Sequence, residues 1–337
     1  MKLYRFRPLN SFLFKELKYQ ELYCASAQEL NDPLDLTASV NFYTKDEHEL
    51  RALVFFVLRQ GFIANPTLEN APEYLGLLTS RQLMESISNE FQRSDDNVIL
   101  QSEFSAILNN FFEKLDISGF SVEKLVSRIN QVISQFINNS AVSCFTENNS
   151  NFLMWSHYAS SHYGICLEFD VKVKNHELAS IPLMYFSKST GKTLSYDIDI
   201  HKVNYNSPLP KLNFYNFLPA FSNSEDVDLI NLSKSKYHSF GREISRLFTK
   251  KLSAWASENE WRFVDVSFKS RLPEERIYPF DIKSISGVYF GANTPDDAKN
   301  RIINIFQCEG HIPNYYQAII DGSVGIQFQP FYYEDVE

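Results

Sequence analysis

Two glutamates and an arginine alternate near position 260 of this chain. Glu258, Glu260 and Arg262 are spaced two residues apart. A strand that begins at Glu258 would place all three side chains on one face. Two carboxylates and a guanidinium are costly to bury unless they serve one another or a ligand. The spacing therefore predicts either acid chemistry by the two glutamates or an ion pair between Glu260 and Arg262.

A second group of candidate residues lies in the middle of the chain. Trp155, His157 and Tyr158 fall within one turn of a short helix predicted over 152–159, between two strands. A ligand contact and a buried aromatic core would each explain Trp155 and Tyr158. His157 fits either an acid–base or ligand role or a structural histidine bonded to neighbouring groups.

The first residues of the chain alternate as a strand does. Tyr4 and Phe6 point one way, and Arg5 and Arg7 point the other way together with Leu3. Two arginines on one strand face can bind an anion or pair with acids. A solvated strand edge is the alternative.

An acidic turn follows at 31–35. Pro33 holds Asp32 in an extended conformation, and Asp35 closes the turn. These acids can orient a neighbouring arginine or simply form the turn. Together with Glu260, Asp32 and Asp35 also allow a metal-dependent nuclease as a third hypothesis, although no paired-ligand spacing supports a metal site.

The elements that must position these residues are irregularly spaced strands with helices bunched between them. No Gly-rich phosphate loop, nucleophile elbow or internal repeat is present. This organisation predicts an α+β fold with a mixed or antiparallel sheet rather than a doubly wound sheet. Residues 188–223 are rich in Asn, Ser, Pro and aromatic residues and predict a long irregular connection.

Residues 45–140 differ in character from their surroundings. Apolar residues repeat at helical spacing over 104–115 and again over 122–137. We therefore expect a single α+β domain over 1–337, with a helical insertion at 45–140 that packs outside the candidate site.

Composition excludes some classes of protein. The chain is 44% apolar and 22% charged, with a net charge of −9, which indicates a globular protein and disfavours broad attraction to nucleic acid, although a local basic cleft stays open. The four cysteines are far apart, as expected for buried thiols in a reducing compartment. No signal peptide and no run of about 18 apolar residues is present. These features predict a soluble cytoplasmic protein without a membrane partner.

The motifs together resemble the bacterial proteins grouped as domain of unknown function 2971. The matching blocks span most of the chain outside the helical insertion, and they are residues 3–7, 31–35, 144–146, 154–158, 164–169 and 258–263. This resemblance names no activity.

A remoter resemblance, to the three-part signature of ADP-ribosyltransferases, bears on chemistry. It implies that the core forms split sheets, that NAD is the substrate, and that Glu260 is the catalytic acid beside an oxocarbenium-like transition state. Glu258 would help to deprotonate an acceptor that the sequence does not identify, and Arg5 would hold the ribose or phosphates of NAD. The residues implied to bind NAD are Arg5, Arg7, Trp155, His157 and Tyr158.

Two departures from that signature keep a second hypothesis open. The middle block has Trp155 to Tyr158 where many transferases carry a Ser-Thr-Ser-like triad, and Arg262 stands where it can neutralise Glu260. The alternative is a catalytically inactive binding or sensor module of the same fold, in a bacterial defence or toxin system.

Overall fold

In the computed structural model the described residues are 1–41, 44, 46, 49, 122–205, 211–221 and 236–332. The chain forms two compact units. The first contains residues 1–35, 138–208 and 248–337, and the second contains residues 36–137 and 209–247. Much of the predicted helical insertion at 45–140 lies outside the described residues.

The first unit is built on one mixed sheet of eleven strands. Its order is β15-β14-β13-β6-β1-β5-β11-β9-β8-β7, with β3 paired to β5. β13 and β14 run parallel, whereas the other neighbours in this sheet are antiparallel. The expected α+β class with a mixed sheet is therefore confirmed. The strands are β1 (Lys2–Arg7), β2 (Glu21–Tyr23), β3 (Ala25–Ser26), β4 (Ser39–Asn41), β5 (Ala141–Thr146), β6 (Ile165–Asp170), β7 (Lys172–Asn175), β8 (Leu178–Ser187), β9 (Lys192–Lys202), β10 (Lys211–Asn213), β11 (Glu260–Asp265), β12 (Ile277–Pro279), β13 (Ile285–Phe290), β14 (Asn314–Asp321) and β15 (Gly325–Pro330).

The pairing of β1 differs on its two sides. It pairs with β6 at every residue from Lys2 to Arg7. With β5 it shares only one paired position, Tyr4 opposite Thr146. The sheet is therefore continuous in hydrogen bonding but opens between β1 and β5, and the candidate site lies at this opening.

Five α-helices are found among the described residues: α1 (Ser11–Tyr19), α2 (Val122–Asn139), α3 (Phe152–Tyr158), α4 (Tyr237–Phe248) and α5 (Asp296–Cys308). In the second unit, Phe136 of α2 packs edge-on against Phe217 at 5.7 Å between ring centroids. Phe240 of α4 joins them, 5.3 Å from Phe217. This aromatic cluster explains the apolar stripe that predicts a helix over 122–137. No described helix is long and apolar enough to cross a membrane.

The prediction of an irregular connection over 188–223 was wrong for β9. Residues 192–202 form the second strand of a long hairpin with β8, after a turn in which Gly191 has φ +64°. Ile198 and Ile200 are buried, two residues apart, and Leu194 and Tyr196 continue the alternation. This period of two is the strand signal that the polar composition of the segment obscures.

Candidate functional site

A cavity of about 240 Å³ lies in the first unit, where β1 and β5 separate. β1 and β5 each contribute four consecutive residues to its wall, and the rest come from residues 23–30, from the acidic turn, from α3 and from the region around β11. The lining residues are Tyr4, Arg5, Phe6, Arg7, Tyr23, Ala25, Glu29, Leu30, Asn31, Asp35, Val142, Ser143, Cys144, Phe145, Met154, Tyr158, Lys251, Glu258, Glu260 and Arg262.

One side of the cavity, which we call the β11 wall, consists of Asp35, Lys251, Glu258, Glu260 and Arg262. Arg262 is fully buried and holds two carboxylates at once. Its Nη1 and Nη2 donate to Asp35 at 2.9 and 2.6 Å, and its Nε and Nη2 donate to Glu260 at 2.7 and 3.1 Å. This double bidentate pairing is the geometry in which a buried guanidinium is best compensated.

Lys251 supplies the second cation of the β11 wall. Its Nζ lies 2.6 Å from Glu258 Oε2, 3.2 Å from Glu260 Oε2 and 3.8 Å from Asp35 Oδ2. It also lies 4.9 Å from the ring centroid of Trp255. Burial by itself lowers the pKa of Lys251, but the charges of Glu260 and Glu258 outweigh it and raise that pKa. Lys251 is not among the site residues predicted from the sequence. The signal that indicates it is the excess of acidic residues over the single Arg262, because buried carboxylates need cations as partners.

The state of Glu260 follows from these contacts. Burial by itself raises the pKa of Glu260, but Arg262 and Lys251 outweigh it and lower that pKa to about 2. Glu260 is therefore ionised at neutral pH. Both of its oxygens are occupied by cations, so the ion pair of Glu260 with Arg262 that the sequence allowed is present.

Glu258 reaches the same wall by a different backbone route from the one expected. The strand predicted from Glu258 begins instead at Glu260, because Glu258 ends a 3₁₀ helix (Ser253–Glu258) and Asn259 adopts a left-handed conformation with φ 45°. Glu258 Oε1 accepts a hydrogen bond of 2.7 Å from the Tyr158 hydroxyl, and Asn31 donates to that hydroxyl at 3.0 Å. The acidic turn, α3 and the approach to β11 are thus linked through one tyrosine.

A second part of the lining, which we call the β1 wall, consists of Arg5 and Arg7 together with the Glu16 carboxylate of α1, which contacts both. Arg5 Nε and Arg7 Nη2 lie 3.3 and 2.6 Å from the two oxygens of Glu16. Arg5 also donates to the Ser143 hydroxyl and to the Tyr23 carbonyl. Burial, together with the charge of Arg5, lowers the pKa of Arg7, and Glu16 opposes this. One carboxylate thus serves two guanidiniums, which leaves an excess of one positive charge.

The structure brings most of the predicted site residues together. Two of them lie elsewhere. Trp155 is fully buried, its Nε1 donates to the Asn149 carbonyl at 2.6 Å, and its ring packs edge-on against Phe6 at 5.1 Å. His157 is exposed on α3 and does not line the cavity. The predicted site residues that do line it are Arg5, Arg7, Tyr158, Glu258 and Glu260.

The turn that follows α3 is held in an uncommon conformation. Ser160, Ser161 and His162 are consecutive residues with positive φ angles of 48°, 53° and 69°, which is costly for residues with a Cβ. Gly164 then passes so close to β1 that an added Cβ would lie 2.2 Å from the Arg7 carbonyl oxygen. This turn seats α3, and therefore Tyr158, against the strand that carries the two arginines.

The third hypothesis needed Asp32, Asp35 and Glu260 to share a metal ion. Asp32 instead turns its Oδ1 to the backbone N–H of Leu34 at 2.9 Å, within the turn. Asp35 and Glu260 are held by Arg262. No group of three acid, histidine or cysteine side chains in the described part of the chain is arranged to hold a metal.

Comparison with known proteins connects part of this site to a family. Residues 154–263 match the family model described as Protein of unknown function (DUF2971). The resemblance to that family is therefore confirmed over these residues, which include most of α3, all of β6 and the start of β11. The matched segment contains Tyr158, Glu258 and Glu260 but not the β1 wall. Neither a curated protein nor a solved structure matches the chain.

Proposed function

We propose that the cavity binds NAD and that the protein cleaves its glycosidic bond, transferring ADP-ribose to an acceptor. The observation that carries this proposal is that the lining of one cavity includes both a group with excess positive charge and a group with excess negative charge. The β1 wall has two cations against one carboxylate, and the β11 wall has three carboxylates against two cations. NAD carries an anionic pyrophosphate and a cationic nicotinamide ring, so the two walls complement its two ends.

The dimensions restrict what the cavity encloses. Its volume of about 240 Å³ is just below the range of roughly 300–1,000 Å³ typical of small-molecule pockets. We infer that the nicotinamide–ribose half enters, with the pyrophosphate at the β1 wall and the remainder outside. Aromatic side chains such as Phe145 and Tyr158 offer apolar surface for the ring.

The contacts favour Glu258 for the role that the resemblance gives to Glu260. Glu260 shares its charge with Arg262 through both oxygens and with Lys251 through one. Glu258 has one partner on each oxygen, Tyr158 and Lys251. We propose that Glu258 stabilises the developing positive charge on the ribose, and that Glu260 positions the two cations that hold the wall.

A second function rests on the same pairing. Because each carboxylate of the β11 wall has a cation within 3.2 Å, the wall suits recognition of a ligand as well as chemistry on it. A binding or sensor module without turnover is therefore the competing proposal.

The test uses NAD labelled in the nicotinamide ring. The wild type should bind NAD by calorimetry and release labelled nicotinamide. The Glu258→Gln variant should bind similarly but turn over ~10²–10³-fold more slowly, the scale for one lost electrostatic stabiliser. Glu274→Gln, at an exposed position off the cavity, is the matched control. Binding without release would favour the sensor module, and no binding would overturn both proposals.

On the basis of the family resemblance, we further propose that the protein is located in a reducing bacterial cytoplasm and acts in defence. The cysteines support the compartment, since Cys24, Cys144, Cys166 and Cys308 are all free thiols. Fractionation of the native host, with the protein detected by antibody, tests the location. Protection against phage that is lost in Glu258→Gln tests the role.

A further inference from the structure

The two outer edges of the main sheet are built differently. The β7 edge is four residues long, has a register shift between Val173 and Asn175, and carries two lysines. Lys172 pairs with Asp197 at 2.9 Å, and Lys174 pairs with Asp199. A short, bulged and charged strand is a common means of preventing edge-to-edge association.

The β15 edge lacks these devices. β15 (Gly325–Pro330) is six residues long, contains no charged residue, and pairs with β14 at six consecutive positions without a shift. No strand in the described part of the chain pairs with its outer side. Pro330 ends the strand and leaves the preceding residues able to pair. Charged residues are a common means of protecting an edge strand. This edge has none, although the chain as a whole has a net charge of −9.

The surroundings of β15 leave apolar surface exposed. Ile319 and Ile320 of β14 are 38% and 46% exposed, and Val324 in the β14–β15 turn is 66% exposed. Phe331 continues the pairing of β15 with β14, because its N–H donates to the Tyr315 carbonyl at 2.8 Å. The Phe331 ring packs against Phe290 at 5.5 Å between centroids. Phe331 therefore lies against β13 and β14.

We propose that β15 pairs antiparallel with β15 of a second copy of this chain, across a two-fold axis, so that the sheet continues from one copy into the other. The sequence of the strand favours a second copy over another partner. Self-pairing about a two-fold axis brings identical strands together, and a strand without charge meets no like-charge repulsion there. The side chains of Gln327 and Gln329 are exposed and carry both donors and acceptors, so they are complementary to themselves.

The experiment measures the molar mass of the full chain by sedimentation over a wide range of concentration. The wild type should be a dimer. Gln327→Lys and Gln329→Lys should each raise the dissociation constant about tenfold or more, because they add charge to the pairing edge. Gln307→Lys, the same change at an exposed position of α5, should leave the dimer intact. At a concentration low enough that the wild type is monomeric, all three variants should have the wild-type melting temperature, since β15 stays paired with β14.

Three results would overturn the proposal. The first is a wild type that is monomeric at the highest concentration reached. The second is a dimer that withstands both β15 lysine variants. The third is a monomer that instead captures an uncharged β-strand peptide, which would make this edge a peptide site rather than a self-association site.

Discussion

The β1 wall and the β11 wall hold their buried charges in different ways. In the β11 wall, each charge has an opposite partner within 3.2 Å. In the β1 wall, Glu16 serves both Arg5 and Arg7. The Nε atoms of these arginines are buried and make no hydrogen bond to any described residue.

This difference separates a preorganised surface from one that is incomplete without a ligand. A fully paired cluster keeps its geometry when the cavity is empty. Two guanidiniums that share one carboxylate are stabilised when a further anion arrives, because a buried excess of positive charge is costly. We expect the β11 wall to determine stability and the β1 wall to determine binding.

Removing the shared cation of the β11 wall should have the largest effect. Arg262→Met leaves the Asp35 and Glu260 carboxylates buried with Lys251 as their only neighbouring cation within this wall. We expect the free energy of unfolding to fall by about 3–5 kcal/mol, the scale for breaking a buried ion pair from one side. Urea denaturation measures this, with Arg242→Met at an exposed position of α4 as control. A loss below about 1 kcal/mol would contradict the importance given to this pairing.

The pH dependence of Glu260 should be the next largest effect. Its folded-state pKa of about 2 lies below its ordinary value of 4.5, so the folded state binds this proton more weakly than the unfolded state. The resulting stabilisation, on the order of 3 kcal/mol, is present above about pH 4.5 and is lost as the pH falls toward 2.

The measurement compares the wild type with Glu260→Gln by urea denaturation at several pH values. The stability of the wild type relative to the variant should fall as the pH is lowered from about 6 to about 3. Burial by itself raises the pKa of Glu29, but hydrogen bonds with Arg276 and Tyr23 outweigh it and lower that pKa to about 2. Glu29 titrates in both proteins, so its contribution cancels in the comparison. A difference that does not change with pH would mean that Glu260 is not paired as described.

Glu16→Gln should distinguish the β1 wall from the β11 wall. The change leaves Arg5 and Arg7 without their carboxylate and should cost about 1–3 kcal/mol. Phosphate should restore part of this stability, because an anion bound between the arginines stabilises the folded state. Melting temperatures with increasing phosphate test this, with Glu177→Gln, at a 72% exposed side chain, as control. If phosphate restored the stability of Arg262→Met to the same extent, the two walls would not differ in their response to an anion.

Tyr158→Phe should have the smallest effect. The hydroxyl donates to Glu258 and accepts from Asn31, and its loss should cost about 0.5–1.5 kcal/mol. Phosphate rescue of Glu16→Gln should be the same with and without this change, because Tyr158 contacts the β11 wall. A double-mutant cycle of Tyr158→Phe with Glu16→Gln measures their coupling, and a coupling above about 0.5 kcal/mol would show that the two walls are not independent.

Several elements could be predicted because their signals are local. The strand at 2–7 is visible as alternation, and α3 begins after Asn151, whose side chain accepts from Leu153 and Met154 as a helix cap does. β9 was not recognised in the same way, because the polar residues that are frequent in this segment obscure its alternation of apolar residues. The start of β11 was misplaced because the left-handed Asn259 interrupts the alternation between Glu258 and Glu260.

The sequence by itself determined which charges are present and that they are too many for ordinary strand edges. Arg5, Arg7, Glu258 and Glu260 are recognisable because charged side chains are seldom buried in regions of this kind. Only the tertiary structure decided their partners. Arg262 binds Asp35 across 227 positions of the chain. The cost of burying a charge depends on what lies within a few ångströms in three dimensions, and spacing along the chain does not report that distance.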